Sequence, residues 1–278
     1  MDGEKIIGFD FRNDSITRNF AKFFGYYFLY LQCKQKPGDN DLAELRAKEQ
    51  RRHNLQKRYY FEQVEHLSWI LEDSDDAIRH FINFGLEGVT KISDTSESYL
   101  RLYGFLNSTY LQYQAILTLY DMFWPMIRNS VKEEIRLSTI IVLRNKIAAH
   151  SPNFEDGEKK EYFTYKVSQA SLRSDGWKVH ILGQSRLRKT SEEYDLKFCL
   201  EEFNSKLHKK LLDICEYILR RNKSSITLKY DYFEDVLYFI KRRLKGDLIE
   251  PHLDPGKWII MTSNPAAIRR DNEDGEAE

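Results

Sequence analysis

The stretch DTSESYLRLYGFLNSTYLQYQAILTLYDMFWP, residues 94–125, decides the architecture. Asp94 stands three residues before Glu97, a spacing that lets both side chains satisfy free amides at a helix start. Beyond it, Tyr99, Tyr103, Leu106, Tyr110, Tyr113, Leu117, Tyr120 and Trp124 follow one another in alternating steps of four and three. That is the repeat of one helix face. Pro125 then ends the helix or bends it, because proline has no N–H to donate. Tyrosine suits helix interfaces that are partly wet, so the stripe first predicts packing, and its rings are also of a kind on which bases stack.

Working outward from this helix, Ser130 and Glu133 repeat the capping spacing and predict a second helix from about residue 131. It carries Ile135, Ile140, Leu143 and Ile147 toward a core and stops before Pro152, which disfavours helical geometry at Ser151. Next, Phe163, Tyr165 and Val167 alternate, Asp175-Gly176 follows, and Trp177, Val179 and Ile181 alternate again. This predicts a β-hairpin over 161–184 with a tight turn. Asp195 is placed to cap a further helix, whose stripe is Leu196, Leu200, Phe203, Leu207, Leu211, Ile214 and Ile218 and which breaks at RRNKSS. A shorter aromatic helix, DYFEDVLYFIKRRLK, comes after it, then GKWIIMT as a strand near the hairpin, and RRDNEDGEAE as a mobile polar tail.

On the amino-terminal side, FFGYYFLYLQC reads as a buried aromatic segment, about half the roughly 20 residues a membrane-spanning helix needs. KPGDND, residues 36–41, is a loop signal. The charged stretch after it reads as a long helix, with Arg46, Lys48, Arg51, Arg52, Lys57 and Arg58 on a solvated face that would also suit a phosphate backbone. The fold class is therefore mainly α: a helical bundle with an inserted β-hairpin and peripheral N- and C-terminal segments. Its expected divisions are an N-terminal helical region at 1–93 packed on the core, a helical core at 94–222, and a C-terminal helix, short strand and tail at 223–278.

Composition narrows the function classes. The 278 residues are 41% hydrophobic, enough for a substantial core, and 43 Lys+Arg balance 43 Asp+Glu, so any basic surface is local. Cys33, Cys199 and Cys215 are too few and scattered for a disulfide framework or zinc knuckle, which points to a reducing, cytoplasmic setting. The amino terminus lacks the apolar core of a signal peptide, and no membrane partner is expected.

Chemistry concentrates in LRNKIAAHSPNF, residues 143–154, at the carboxy-terminal end of the second helix. Arg46 with His53 and Arg173 with His180 show a comparable spacing, but alanine and serine follow those arginines; only Arg144 is followed by an amide, Asn145, and by a helix-terminal histidine, His150. Six residues of α-helix advance about 9 Å and turn two side chains about a third of a turn apart. Arg144 and His150 of one chain therefore do not simply meet, and a symmetric homodimer joining two such helix ends would create a cleft with both pairs. An arginine fork for phosphate and an imidazole that titrates near neutrality suit phosphodiester cleavage by acid–base catalysis. With RNA the 2′-hydroxyl is a built-in nucleophile. No cluster in the sequence has convincing metal spacing, so no metal and no cofactor is expected.

LRNKIAAH, on a helix that follows one long helix and precedes another, resembles the signature of HEPN domains: arginine, a polar residue often asparagine, and a histidine four to six positions on. The resemblance covers roughly residues 94–222. It implies a HEPN-like helical bundle that dimerises and a metal-independent endoribonuclease, as in many members of toxin–antitoxin or antiviral defence systems, with an antitoxin or regulatory protein as a possible partner. Carried over by position, Arg144 would bind the scissile phosphate, Asn145 would orient it, and His150 would be the acid–base residue. The hairpin after the motif helix departs from the usual bundle.

Two other readings stand beside it. In one, the helical core is a non-catalytic interaction module: Arg144 pairs with a carboxylate, His150 packs beside Leu143 and Ile147, and nucleic acid or an acidic partner binds the basic segments. Those segments are Arg186, Arg188 and Lys189, and Lys241, Arg242 and Arg243, which are also the candidate RNA-backbone contacts of the enzyme reading. In the other, the hairpin and carboxy-terminal strand form a recognition platform for structured RNA.

Overall fold

The computed structural model describes residues 8–33, 62–89, 94–148, 154–156, 161–173, 176–222, 230–252 and 258–261. In chain order its elements are α1 (Ile16–Cys33), α2 (Glu62–Phe84), α3 (Thr95–Phe123), a 3₁₀ turn (Pro125–Ile127), α4 (Arg128–Arg136) and α5 (Thr139–Ile147). Then follow β1 (Phe154–Asp156), β2 (Glu161–Val167), a second 3₁₀ turn (Ser171–Arg173), β3 (Lys178–Gln184) and β4 (Lys189–Asp195). The chain closes with α6 (Leu196–Asn222), α7 (Tyr230–Leu244), β5 (Leu248–Pro251) and β6 (Trp258–Met261). The protein is mainly helical with a small antiparallel sheet. It forms two compact units, Ile70–Lys210 and Met1–Trp69 with Leu211–Glu278, whose boundaries fall inside α2 and α6.

The unit Ile70–Lys210 is organised by α3. Asp94 caps it, its carboxylate accepting from the Ser96 N–H, and the helix ends at Phe123, just before Pro125. Leu106, Tyr113, Leu117 and Tyr120 of the stripe are buried, while Tyr99, Tyr103, Tyr110 and Trp124 are half-buried. Burial reaches further round, through Leu102, Phe105, Ala115, Ile116 and Leu119, so α3 is a central helix rather than one face laid on a core. The Tyr120 hydroxyl donates to the Lys210 carbonyl at 2.9 Å, fixing α3 against α6.

The single helix expected from about residue 131 is two helices. Ser130 lies inside α4, and the chain breaks at Leu137 and Ser138, where Ser138 is extended (φ −65°, ψ 137°). A contact distant in sequence accounts for the break: Glu202 of α6 accepts from the Thr139 N–H at 3.1 Å, supplying the cap of α5 from outside its own segment. The buried positions are as expected, with Val131 and Ile135 on α4 and Ile140, Leu143 and Ile147 on α5.

Strands β2 and β3 pair antiparallel, Thr164 with Gln184 through Val167 with Ile181. Asp175 of the expected tight turn lies outside the described residues; β2 ends at Val167 and β3 begins at Lys178, so the connection is longer than a two-residue turn, and it contains the second 3₁₀ turn. Its far end is held elsewhere. Gly176 (φ +71°) presents its carbonyl to the Leu86 N–H at 3.0 Å, beside Gly85 (φ +57°), and Trp177 meets Phe81 edge-on. Tertiary docking therefore overrides local turn chemistry. The expected hairpin is also only part of a four-stranded sheet, ordered β1-β2-β3-β4. Its fourth strand, KTSEEYD, carries too few apolar residues to announce itself.

The inner face of this sheet receives α5. Lys146, only 11% exposed, donates to the Glu192 carboxylate at 2.6 Å and to the Tyr194 hydroxyl at 3.2 Å, and its ammonium lies 4.9 Å from the Tyr165 ring centroid. Gly183 makes room for Tyr165, since a Cβ there would fall 2.6 Å from its ring. Burial works against the Glu192 carboxylate, yet hydrogen bonds from Lys146 and Tyr194 more than offset it and hold its pKa below the ordinary value of 4.5. The Tyr194 hydroxyl pKa is raised, by burial first and by its hydrogen bond to Glu192 second.

In the other unit, aromatic rings form the core. Phe23 and Tyr27 of α1 meet Phe233 of α7 at 5.5 and 5.1 Å, and Phe11 meets Phe239 and Trp258 at 5.2 Å each. Strand β6 of the expected GKWIIMT segment pairs with β5 in a two-stranded sheet of its own, not with the hairpin. The loop at 36–41, the basic positions 46–58 and the polar tail lie outside the described residues.

The Lys146–Glu192 pair generates a test. Lys146→Met is expected to lower stability by about 1–3 kcal/mol at neutral pH, measured by urea unfolding. A folded-state pKa below the unfolded value means that the contribution is present above about pH 4.3 and is lost as pH falls through the depressed pKa. The gap between parent and variant therefore narrows below about pH 4; a gap independent of pH contradicts the ion-pair account.

Candidate functional site

Three consecutive residues at the end of α5 lie beside its buried stripe and take different directions. Leu143 and Ile147 are buried, Lys146 is committed to the sheet, and Arg144 and Asn145 are half-buried. The Arg144 carbonyl accepts from the Ala148 N–H at 2.8 Å, the last bond of the helix. The Arg144 guanidinium lies over the ring of Tyr110 of α3, 3.8 Å from its centroid, and its Nη1 donates to Asn145 Oδ1 at 3.2 Å. Such a cation on an aromatic face contributes about 0.5–2 kcal/mol. Tyr110 is itself steadied by an edge contact with Tyr113, their centroids 5.7 Å apart.

Among the described residues no carboxylate pairs with Arg144, and its buried Nε–H has no acceptor. An unmet buried donor of this kind costs about 1–3 kcal/mol, more when charged. Other arginines around these helices face carboxylates, Arg136 with Glu133 at 2.7 Å and Arg128 with Asp121 at 3.8 Å, although the Arg128 Nε–H is likewise buried without a hydrogen-bond acceptor among the described residues. Burial and the neighbouring Tyr110 push the Tyr113 hydroxyl pKa up, while Arg136 and Arg128 pull it down. Arg144 is thus a half-buried fork of donors seated over a ring, without a carboxylate partner among the described residues; its Nε–H is closed to solvent, so an incoming oxyanion would meet the outer nitrogens of the fork.

Of the residues singled out from the sequence, Arg144 and Asn145 are brought into direct contact, and His150 lies outside the described residues. The six basic candidates divide sharply. Lys241 pairs with Glu216 at 2.6 Å, Arg242 with Asp247 at 2.6 Å, and Arg243 donates to Asn19 Oδ1 at 2.8 Å. Arg188 lies over the Phe163 ring at 4.8 Å. Arg186 and Lys189 are exposed and have no partner among the described residues. The turn that carries Arg186 is closed by the Ser185 hydroxyl, which accepts from both the Leu187 and Arg188 N–H groups, and Lys189 opens β4 just after it.

Sequence reasoning missed Lys146 as the residue that positions the helix end. The signal would have been a cation inside an apolar stripe, but its partners Glu192 and Tyr194 sit on the strand that was not foreseen. Tyr110 was legible as a stripe position only, not as the platform for Arg144. Among the described residues no group of three or more His, Cys, Asp or Glu could hold a metal ion, and no helix is long and apolar enough to cross a membrane. No known protein family, curated protein or solved structure matches this chain.

Proposed function

We propose that the protein is a metal-independent endoribonuclease of the HEPN type, with a composite site built from two copies of the chain. The observation that carries this reading is Arg144: a half-buried guanidinium seated on Tyr110, bonded to Asn145, with no carboxylate partner among the described residues. In the proposed reaction Arg144 holds the scissile phosphate and stabilises charge on its oxygens as the RNA 2′-hydroxyl attacks. Asn145 fixes the plane of the guanidinium. His150 moves the proton, either from the 2′-hydroxyl or to the leaving 5′-oxygen. Such an activity fits a toxin–antitoxin or antiviral defence role, in which a regulatory protein would restrain it. The second reading, a non-catalytic nucleic-acid-binding module, draws on the unpaired Arg186 and Lys189 and needs nothing of Arg144 beyond its stack on Tyr110.

The test is cleavage of total cellular RNA in EDTA. The parent is expected to cut, and Arg144→Ala and His150→Ala to cut at least about 100-fold more slowly while remaining folded and dimeric at the assay temperature. Silence of the folded parent on all cellular RNA sinks the enzyme reading in favour of the binding module.

A mixing experiment checks the composite site. Arg144→Ala and His150→Ala protomers, unfolded together and refolded, are expected to regain activity, because the hybrid dimer holds one intact Arg144 and one intact His150 in the same cleft. Failure of that mixture to exceed either variant alone, with hybrid dimers present, assigns both residues to one chain instead.

A further inference from the structure

Burial alternates along the sheet. Phe163 and Val167 of β2, Val179 and Ile181 of β3 and Tyr194 of β4 are buried on the inner face. Tyr162, Thr164, Lys166, Leu182, Gln184 and Lys189 are exposed on the other. The register sets them in rows: Thr164 beside Gln184, Gln184 beside Lys189, and Lys166 beside Leu182. With strands about 4.8 Å apart, the row from Thr164 to Lys189 spans about 10 Å. These side chains, with Arg186 from the following turn, line a depression of about 660 Å³.

Its described lining carries cations only, while the register of β1 sets Glu155 opposite Tyr162 at its edge. Lys166, Arg186 and Lys189 have no partner among the described residues, and no described residue lining the depression is acidic. The other end of the same face is neutralised, since Glu193 takes Lys178 at 3.4 Å and His180 at 2.8 Å. Beside the free cations stands Tyr162, 57% exposed, and next to them Gln184, whose amide also has no partner among the described residues. Unpaired cations around an exposed ring and a free amide are complementary to an anionic backbone that carries unstacked bases.

We infer that this outer face of the sheet binds single-stranded RNA. Lys166, Arg186 and Lys189 hold backbone phosphates, Tyr162 stacks under a base, and Gln184 offers a donor and an acceptor to a 2′-hydroxyl or base edge. A paired duplex keeps its bases stacked on one another and leaves the Tyr162 ring without a partner. The inference rests on the ribonuclease reading and deepens it: it names the form of RNA engaged, at a place separate from Arg144.

The experiment is fluorescence anisotropy of a labelled single-stranded RNA of about a dozen nucleotides, within the range such sites cover, bound to the full chain carrying Arg144→Ala so that the probe stays whole. The double substitution Lys166→Glu, Lys189→Glu is expected to weaken binding at least about tenfold and to reduce the slope of log affinity on log salt by about 1.4, from two lost phosphate contacts. Tyr162→Ala is expected to weaken it about fivefold or more, and Lys178→Gln, at the neutralised end, to leave it unchanged. All these side chains are exposed, so matched melting temperatures exclude unfolding as the cause. Binding unaffected by the double substitution overturns the inference. So does equal competition by duplex RNA or inorganic polyphosphate, which would reveal a general anion patch. Cleavage by the intact chain without binding at this face would overturn the sheet site and spare Arg144; binding that follows the predicted pattern without any cleavage would support the sheet site and count against the nuclease.

Discussion

The buried ammonium of Lys146 is the contact on which the candidate site depends. It ties the last turn of α5 to Glu192 and Tyr194 of β4 and to the ring of Tyr165 on β2, and in doing so sets the direction of the residues beside it. With Leu143 and Ile147 in the core, the helix cannot rotate without breaking either the ion pair or the packing. Arg144 is thereby carried onto Tyr110, and a long flexible side chain acquires one resting place. The rotamer entropy that binding would otherwise cost has been lost on folding, which is the preorganisation an oxyanion-binding arginine requires.

The same logic explains the contrast among the cations. Lys241, Arg242 and Arg243 come as a run that reads as a nucleic-acid contact, yet each has a partner in its own unit. Arg144, Lys166, Arg186 and Lys189 have no anionic partner among the described residues. In a chain with equal numbers of acidic and basic side chains, the positions left unpaired carry more information than the density of charge along the sequence.

Helices were legible because their signals are local. The cap at Asp94, the step pattern from Tyr99, the stop before Pro125 and the stripe from Leu196 to Ile218 all depend on neighbours within a few turns. Asp195 caps α6 as its sequence position implies, accepting from the Lys197 and Phe198 N–H groups. What escaped depends on residues far apart in sequence. Glu202 caps α5 where one continuous helix was expected, and the Leu86 N–H holds the Gly176 carbonyl at the far end of the β2–β3 connection. Strand β4 is polar because only one of its faces is buried, so its pairing with β3 shows in no periodicity of its own. Of the site, Arg144 and Asn145 could be named from sequence, whereas Tyr110 and Lys146 acquire their roles only through packing.

The proposed activity stands or falls on the Arg144 guanidinium receiving an RNA phosphate, and its Nε–H, itself closed to solvent, reports on the whole group. The most direct measurement is the ¹⁵N–¹H resonance of that group, assigned by its loss in Arg144→Lys, during titration with an RNA whose 2′-hydroxyls are removed so that it cannot be cut. The account predicts a saturable shift of the Arg144 Nε–H signal that follows RNA occupancy. A signal that stays in place while the RNA is bound would contradict it and leave Arg144 as a structural stack on Tyr110.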